Sequence, residues 1–161
     1  MEENYCDIKK ITENTYMIGT YQRGYRWDEN NVRELLDDIY EGKLIKDFDF
    51  ESETYLNATK AVIELQQKAK EKAIYCLQPL VIKKTDKGYS VIDGQQRLTT
   101  IYIILKVLSE IEIDYVFPET FSISYTSREE STEFLQNILE KTEAIDIDTA
   151  YMLNAKRTIK E

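Results

Sequence analysis

Apolar positions along this chain change period several times, and each change marks an element. Val32, Leu35, Leu36, Ile39 and Tyr40 fall at i, i+3, i+4, i+7 and i+8, the spacing of one helix face. Asp28 stands where that helix would take its N-cap, and Gly42 is the expected stop. Ahead of it, residues 5–18 read as a short helix or turn and then a strand at Thr15-Tyr16-Met17-Ile18. Gly19 to Trp27 reads as a polar-aromatic loop. Residues 43–54 are acidic and read as irregular. Residues 55–73 read as a second helix, with Ala58, Ala61, Val62, Leu65 and Ala69 on one side and lysines crowding its last turn.

The period then shortens. Ile74 to Lys83 reads as a strand, and Pro79, which has no N–H to give a ladder, places that part at an edge or entry. Thr85-Asp86-Lys87-Gly88 is a turn and Tyr89 to Ile92 the return strand of a hairpin. After Asp93-Gly94 a helix follows to about Ser109. It carries Leu98, Ile101, Ile103, Ile104, Leu105, Val107 and Leu108, apolar on nearly every side, so it is expected at the centre of the fold. Phe121 to Tyr125 alternates as a strand. Ser127-Arg128-Glu129-Glu130 has the spacing of a capping box, opening a helix with Phe134, Leu135, Ile138 and Leu139. A last helix runs from about Asp148. It has no stop signal at Glu161, so the natural protein is expected to continue, with these 161 residues forming a single domain. No internal repeat is visible. The expected class is α+β, a small mixed sheet with a central buried helix and further C-terminal helices.

Composition removes several chemistries. The chain has no His, so it lacks a Ser-His or Cys-His nucleophilic pair, imidazole ligands for zinc and the commonest neutral-pH general base. Its two cysteines, Cys6 and Cys76, form no C-x-x-C and read as idle thiols. The acidic N-terminus is no signal peptide, and the apolar run from Leu98 to Leu108 is too short to span a bilayer. A soluble cytoplasmic protein with no membrane partner is expected. Net charge is -9. Residues 61–100 hold seven basic against four acidic side chains, so the excess of acid lies elsewhere. That balance disfavours a general grip on duplex DNA, which depends on neutralising phosphates, and leaves room for a local anion pocket.

Two strings carry candidate chemistry. In Asp93-Gly94-Gln95-Gln96-Arg97, a strand turns through glycine directly into a helix. The first helical turn presents unpaired N–H groups and the positive end of the helix dipole, a natural anion site. Arg97 can add a bidentate fork to a phosphate, Gln95 and Gln96 can donate to its oxygens or orient a water, and Asp93 can hold Mg²⁺ or a metal-bound water. Strand–Gly–helix turns are also common without any ligand, with the Asp serving only as a cap. No G-x-x-x-x-G-K-[ST] is present, which excludes a P-loop. The second string, Tyr21-Gln22-Arg23-Gly24-Tyr25-Arg26-Trp27, puts two arginines and three aromatics into seven residues. Guanidinium to phosphate and ring to base is one reading. A packed loop stapling the next helix to the core is the other. Both are expected to hold, with Trp27 structural and Arg23 functional.

Together, Tyr21-Gln22-Arg23-x-Tyr25-x-Trp27, Leu35-Leu36-x-Asp38-Ile39 and Val91-Ile92-Asp93-Gly94-Gln95-Gln96-Arg97-Leu98-Thr99-Thr100 resemble the DGQQR-type domain-of-unknown-function family. Its members include the N-terminal half of GmrSD-type, modification-dependent restriction enzymes and other phage-defence proteins. The resemblance runs from about residue 15 to 160, and Ser127-Arg128-Glu129-x-Ser131-x-x-Phe134 and the helix with Asn154-Ala155 also resemble its later segments. The family is similar in turn to the ParB/sulfiredoxin fold, in which a strand–loop–helix element binds nucleotide phosphates. Ile18-Gly19-Thr20 departs from the usual Ile-Pro, and Leu77-Gln78-Pro79 replaces an aromatic-x-Gly pattern. Residues 43–73 have no clear place in the family pattern. Gln95-Gln96 occupies the loop where sulfiredoxin has its catalytic Cys, so that chemistry is not expected.

The resemblance implies a domain that binds a nucleoside triphosphate (NTP) and hydrolyses it with Mg²⁺, coupled to DNA restriction. Carried over by position, Gln22, Arg23, Gly94, Gln95, Gln96 and Arg97 bind the nucleotide, Asp93, Gln96 and Arg97 act in hydrolysis, and Asp93 holds the metal. The nuclease of GmrSD-type proteins is a separate His-Asn-His-type domain, which a chain without His does not contain. A nuclease domain or subunit is therefore an expected partner, and DNA is reached only through the full-length protein. The alternatives are a non-hydrolysing nucleotide switch, a docking module for a nuclease half, or a ParB-like DNA-binding module.

Overall fold

The structure is a computed structural model that describes residues 8–47, 79–111 and 116–161. The chain divides into two compact units, residues 1–33 with 79–161, and residues 34–78. The first unit carries the sheet and both motif strings. The expected helix over 55–73 and the start of the strand at Ile74 lie outside the described residues.

The elements are α1 (Ile8–Ile11), β1 (Thr15–Ile18), α2 (Glu29–Asp47), β2 (Val81–Thr85), β3 (Gly88–Asp93), α3 (Gln95–Ile111), β4 (Ser122–Tyr125), α4 (Glu129–Gln136) and α5 (Ile147–Lys160). The described sheet has the order β2-β3-β1-β4. β2 and β3 pair antiparallel as the expected hairpin, while β1 pairs in parallel with β3 on one side and β4 on the other. The fold is α+β. Pro79 lies two residues ahead of β2, the edge strand of the described sheet, where its missing N–H costs no ladder bond.

Register fixes the inner face. Tyr16 lies opposite Ile123, and Ile18 lies opposite both Val91 and Tyr125; all five are buried. The alternate positions Met17, Ser90 and Ser124 are less buried, the two-residue period of a half-covered sheet. α3 buries Leu98, Ile101, Tyr102, Ile103 and Val107. Its tie to the inner face is direct: the hydroxyls of Thr99 and Tyr125 meet at 2.9 Å. Tyr102 and Tyr16 both meet Phe121 edge-on, which closes one end of this core. α5 packs against α3, and α4 packs against β4 and α5. No described helix is long and apolar enough to cross a membrane.

Three local expectations are corrected. Gly42 does not stop α2, which continues to Asp47. Glycine ends a helix when the backbone turns left-handed there, whereas Gly42 lies inside the helix. Ser127 does not open a capping box: Arg128 is the N-cap of α4 and makes no side-chain cap bond. That helix also ends at Gln136, earlier than Ile138 and Leu139 suggested. Ile138 is still buried, and the ammonium of Lys156 on α5 gathers the carbonyls of Ile138, Leu139 and Lys141 at 2.8–2.9 Å. A lysine from another helix satisfies backbone that further α4 turns would otherwise have paired. By contrast α5 has a true capping box, in which Asp146 accepts from the Thr149 N–H and Thr149 from the Asp146 N–H.

Ile103 is fully buried and Val116 is 82% exposed. Ile103→Ala is expected to cost about 2–5 kcal/mol by leaving a cavity, and Val116→Ala less than about 0.5 kcal/mol. Urea unfolding followed by circular dichroism checks both values.

Candidate functional site

Because β1, β3 and β4 run parallel, their carboxyl ends reach one edge of the sheet. The 19–28 loop, the Gly94 turn and residues 126–128 leave from that edge. β1 stops at Ile18, opposite Val91, while β3 runs on to Asp93. The Val91 and Ile92 carbonyls at the end of β3 are taken by the loop: the Gln22 side-chain amide donates to both at 2.9 Å, and the Tyr21 hydroxyl donates to Val91 O at 3.3 Å. On the other side, Thr126 N donates to Ile18 O at 3.0 Å.

Gln96 joins the two motif strings. Its Oε1 accepts from Arg26 N at 2.7 Å and its Nε2 donates to Gly24 O at 2.9 Å. One turn further along α3, the Thr100 hydroxyl donates to Gln96 O and meets the Tyr25 hydroxyl at 2.8 Å. Tyr25 is fully buried. Burial pushes its hydroxyl and that of Tyr125 well above the usual tyrosine range, against a smaller opposing pull from Thr100 and Thr99. The loop is therefore packed, as one of its two readings held.

A third anchor comes from α5. Asp148 is 4% exposed and forms ion pairs with Arg26 and with Arg128, the latter at 3.4 Å through Nε. The Arg128 contact lacks hydrogen-bond geometry, so Asp148 Oδ2 takes no hydrogen bond. Arg128 also donates to Gln22 O at 3.1 Å, and the Arg26 guanidinium lies 5.7 Å from the Tyr151 ring centre. The carboxylate presses on Gly24 so closely that a Cβ there would lie 1.7 Å from Oδ2. The sequence reading missed Asp148 as a site residue. Its only signal was two arginines, Arg26 and Arg128, each beside a motif and each needing a counter-charge if buried.

The sequence-predicted residues fall as follows. Gly94 has φ +87°, a left-handed conformation that L side chains rarely adopt, and a Cβ there would be 3.2 Å from Pro79 O. At the start of α3, Leu98 N donates to Gly94 O at 3.0 Å, and the amides of the first turn point toward the helix N-terminus. Asp93 is exposed; one of its oxygens accepts from Gly94 N at 2.8 Å, a bond to the next residue ahead of the helix. The Arg97 guanidinium lies 6.0 Å from the Trp27 ring centre. Arg23 is exposed, with no hydrogen bond or ion pair to the described residues. Gln22 Oε1 and Gln95 Oε1 are buried without hydrogen-bond partners. Thus Gln22 and Gln96 build the loop, while Arg23, Asp93, Gly94 and Arg97 occupy the turns it holds in place. No group of three or more potential metal-binding side chains exists among the described residues.

A mixed sheet whose Gln-Arg loop is spliced to an Asp-Gly-Gln-Gln-Arg helix start defines a particular class of α+β domain. The pattern of the GmrSD restriction endonuclease N-terminal domain matches residues 5–160, and the chain belongs to that family. This ties it to restriction. No curated protein matches the chain.

Asp148→Asn keeps the shape of the side chain and removes its charge. With Arg26 and Arg128 each about a third exposed, water takes up part of the loss, so the expected cost is about 1–3 kcal/mol in urea unfolding. Gly24→Ala is expected to cost at least as much, because its Cβ would have to displace the same carboxylate. A second prediction concerns alkali. Tyr25 and Tyr125 keep their protons when folded at a pH where an unfolded phenol, near pKa about 10, has lost its own. Their contribution is complete below that pH and is lost as pH rises through it. The urea midpoint should fall steadily above about pH 10, and Tyr25→Phe should flatten the fall.

Proposed function

We propose that this chain is the nucleotide-binding, NTP-hydrolysing regulatory domain of a phage-defence, modification-dependent restriction protein. One observation carries the reading: a helix start at a left-handed glycine, with Arg97 and an exposed Asp93, follows a strand held in place by a loop carrying Arg23, which is exposed and has no partner among the described residues. Amides and a helix dipole favour anions, and two arginines add charge-assisted donors. With a nucleoside triphosphate bound, Arg23 and Arg97 would grip phosphate oxygens and the Gly94–Gln96 backbone would complete the cradle.

Asp93 suits Mg²⁺ in the manner of NTP sites, where the ion takes one or two carboxylates and completes its shell with phosphates and water. Bound there, Mg²⁺ would neutralise charge developing on the phosphates. The chain supplies positioning and electrostatics and needs no protein nucleophile. A nuclease domain or subunit supplies DNA cleavage, since no His is present for a His-dependent active site. DNA is engaged through the full-length protein.

A second reading, a nucleotide switch without turnover, is favoured by Gln96. Both ends of its amide are committed to Arg26 N and Gly24 O, so it orients an attacking water only by giving up part of the splice.

The test is NTP binding and phosphate release with Mg²⁺, wild type against Arg97→Ala, with circular dichroism as the check on folding. Loss of one charge-assisted phosphate contact is expected to weaken binding by about 10- to 150-fold and to abolish turnover. Binding without turnover in the wild type supports the switch. No binding of any NTP overturns both readings and leaves Asp93–Arg97 as a plain helix start.

A further inference from the structure

Tyr21 combines two properties that rarely occur together. It is 68% exposed, among the most exposed large apolar side chains described, yet it is held at two points. Its hydroxyl donates to Val91 O at 3.3 Å. Its ring lies against Gly19, where a Cβ would sit 2.6 Å from the nearest ring carbon. An aromatic ring that only fills a loop packs inward, as Tyr25 does at 0% exposure four residues later. Tyr21 instead presents a fixed aromatic surface to water. Gly19 leaves room for it there, in the place where the resemblance led us to expect Ile-Pro.

Its position adds a direction. Val91, to which it is tethered, is three residues before Gly94, ~10 Å of extended strand. That is the length scale that separates the base of a nucleoside triphosphate from its terminal phosphates. Arg23 leaves the same loop two residues later, exposed and without a described partner. The tether of the ring is thus about one nucleotide's length along β3 from the turn.

We infer that Tyr21 is the base-stacking platform of the nucleotide site, with Gly19 as the residue that seats it. The inference rests on the nucleotide-binding reading above. A ring contributes to the base and nothing to the phosphates, and it stacks on any base because every base has a π-face. Tyr21 thus separates nucleotides from inorganic polyphosphates, while leaving purine and pyrimidine alike to be bound. With its hydroxyl and ring already fixed, little rotamer freedom remains to be lost when a base arrives.

The experiment measures binding of ATP, GTP, CTP, UTP and inorganic tripolyphosphate, each with Mg²⁺, to wild type, Tyr21→Ala, Tyr21→Phe, Gly19→Ala and Arg97→Ala. Tyr21→Ala should weaken the tightest-binding NTP by roughly 5- to 150-fold, the worth of one base–aromatic stack, and leave tripolyphosphate within about twofold. Tyr21→Phe keeps the ring and should retain most of the affinity. Gly19→Ala leaves Tyr21 in place chemically but pushes its ring, and should weaken NTP binding without affecting tripolyphosphate. Arg97→Ala should weaken both ligands. Unchanged NTP affinity in Tyr21→Ala, or an equal loss for NTP and tripolyphosphate, overturns the platform and leaves the phosphate site standing. Wild type that binds tripolyphosphate as tightly as every NTP also overturns it. Wild type that binds neither overturns the platform together with the reading it rests on.

Discussion

The side-chain amide of Gln96 joins two strings about 70 residues apart, and the geometry of the sheet edge follows from it. Gly24 O and Arg26 N face the first turn of α3 side by side, one needing a donor and the other an acceptor. An amide offers both from one planar head. A Glu at position 96 would turn an oxygen toward Gly24 O, and a Leu would leave both backbone groups buried without partners, at about 1–3 kcal/mol each. The splice also requires that α3 start where it does, which the left-handed Gly94 sets. Gln22 repeats the device one step away, closing the exposed carbonyls of β3. Two glutamines thus replace the ladder that ends when β1 stops at Ile18.

Charge is divided with similar economy. The chain carries 21 basic against 30 acidic residues, yet the sheet edge collects Arg23, Arg26, Arg97 and Arg128. Asp148 takes Arg26 and Arg128 into ion pairs. As an acid in the first turn of α5 it is also favoured by that helix dipole. A buried carboxylate without cations would be costly, and two arginines packed beside Tyr25 and Gly24 without an acid would repel each other. Arg23 is the arginine of the loop that this arrangement leaves facing water. The distinction between Arg23 and Arg26, three residues apart on a string rich in both charge and rings, is made by α5 rather than by the loop itself.

That dependence explains which parts were legible in the sequence. Strands β1, β3 and β4, the hairpin turn and the central α3 all announce themselves through local period, turn residues and apolar content. The place of Pro79, ahead of the edge strand rather than in it, follows from its missing N–H. The identity of both motif strings was also legible, whereas their relation was not, because a hydrogen bond between Gln96 and Gly24 leaves no periodic trace. The errors at Gly42 and Ser127 share a cause. Each residue type carries a strong local preference, and each was overridden: Gly42 because the helix formers Leu44, Ile45 and Lys46 continue past it, Ser127 because Arg128 is drawn toward Asp148 and Gln22 O. Lys156, which closes the end of α4 from another helix, and Asp148, which closes the loop, belong to the same class. Both act across tertiary distance through a single charged head, the kind of contact local pattern does not encode.

The remaining polar groups show where the fold tolerates cost. Gln22 Oε1, Gln95 Oε1 and Asp148 Oδ2 are buried without hydrogen bonds, and all three belong to the loop, the helix start or the anchor that ties them. Elsewhere in the first unit, even awkward backbone is provided for, as the three carbonyls on Lys156 show. Three of the four such side-chain atoms among the described residues therefore lie at this edge, the fourth being Ser131 Oγ on α4. Such a pattern is expected where side chains are positioned for something other than stability. The ordering of the 19–28 loop is completed on folding, by Gln96, Gln22, Tyr25 and Asp148, before any ligand contributes. A ligand of the proposed kind, arriving at Arg23 and Gly94, would meet a surface already in place, and its binding energy would not be diverted into building one.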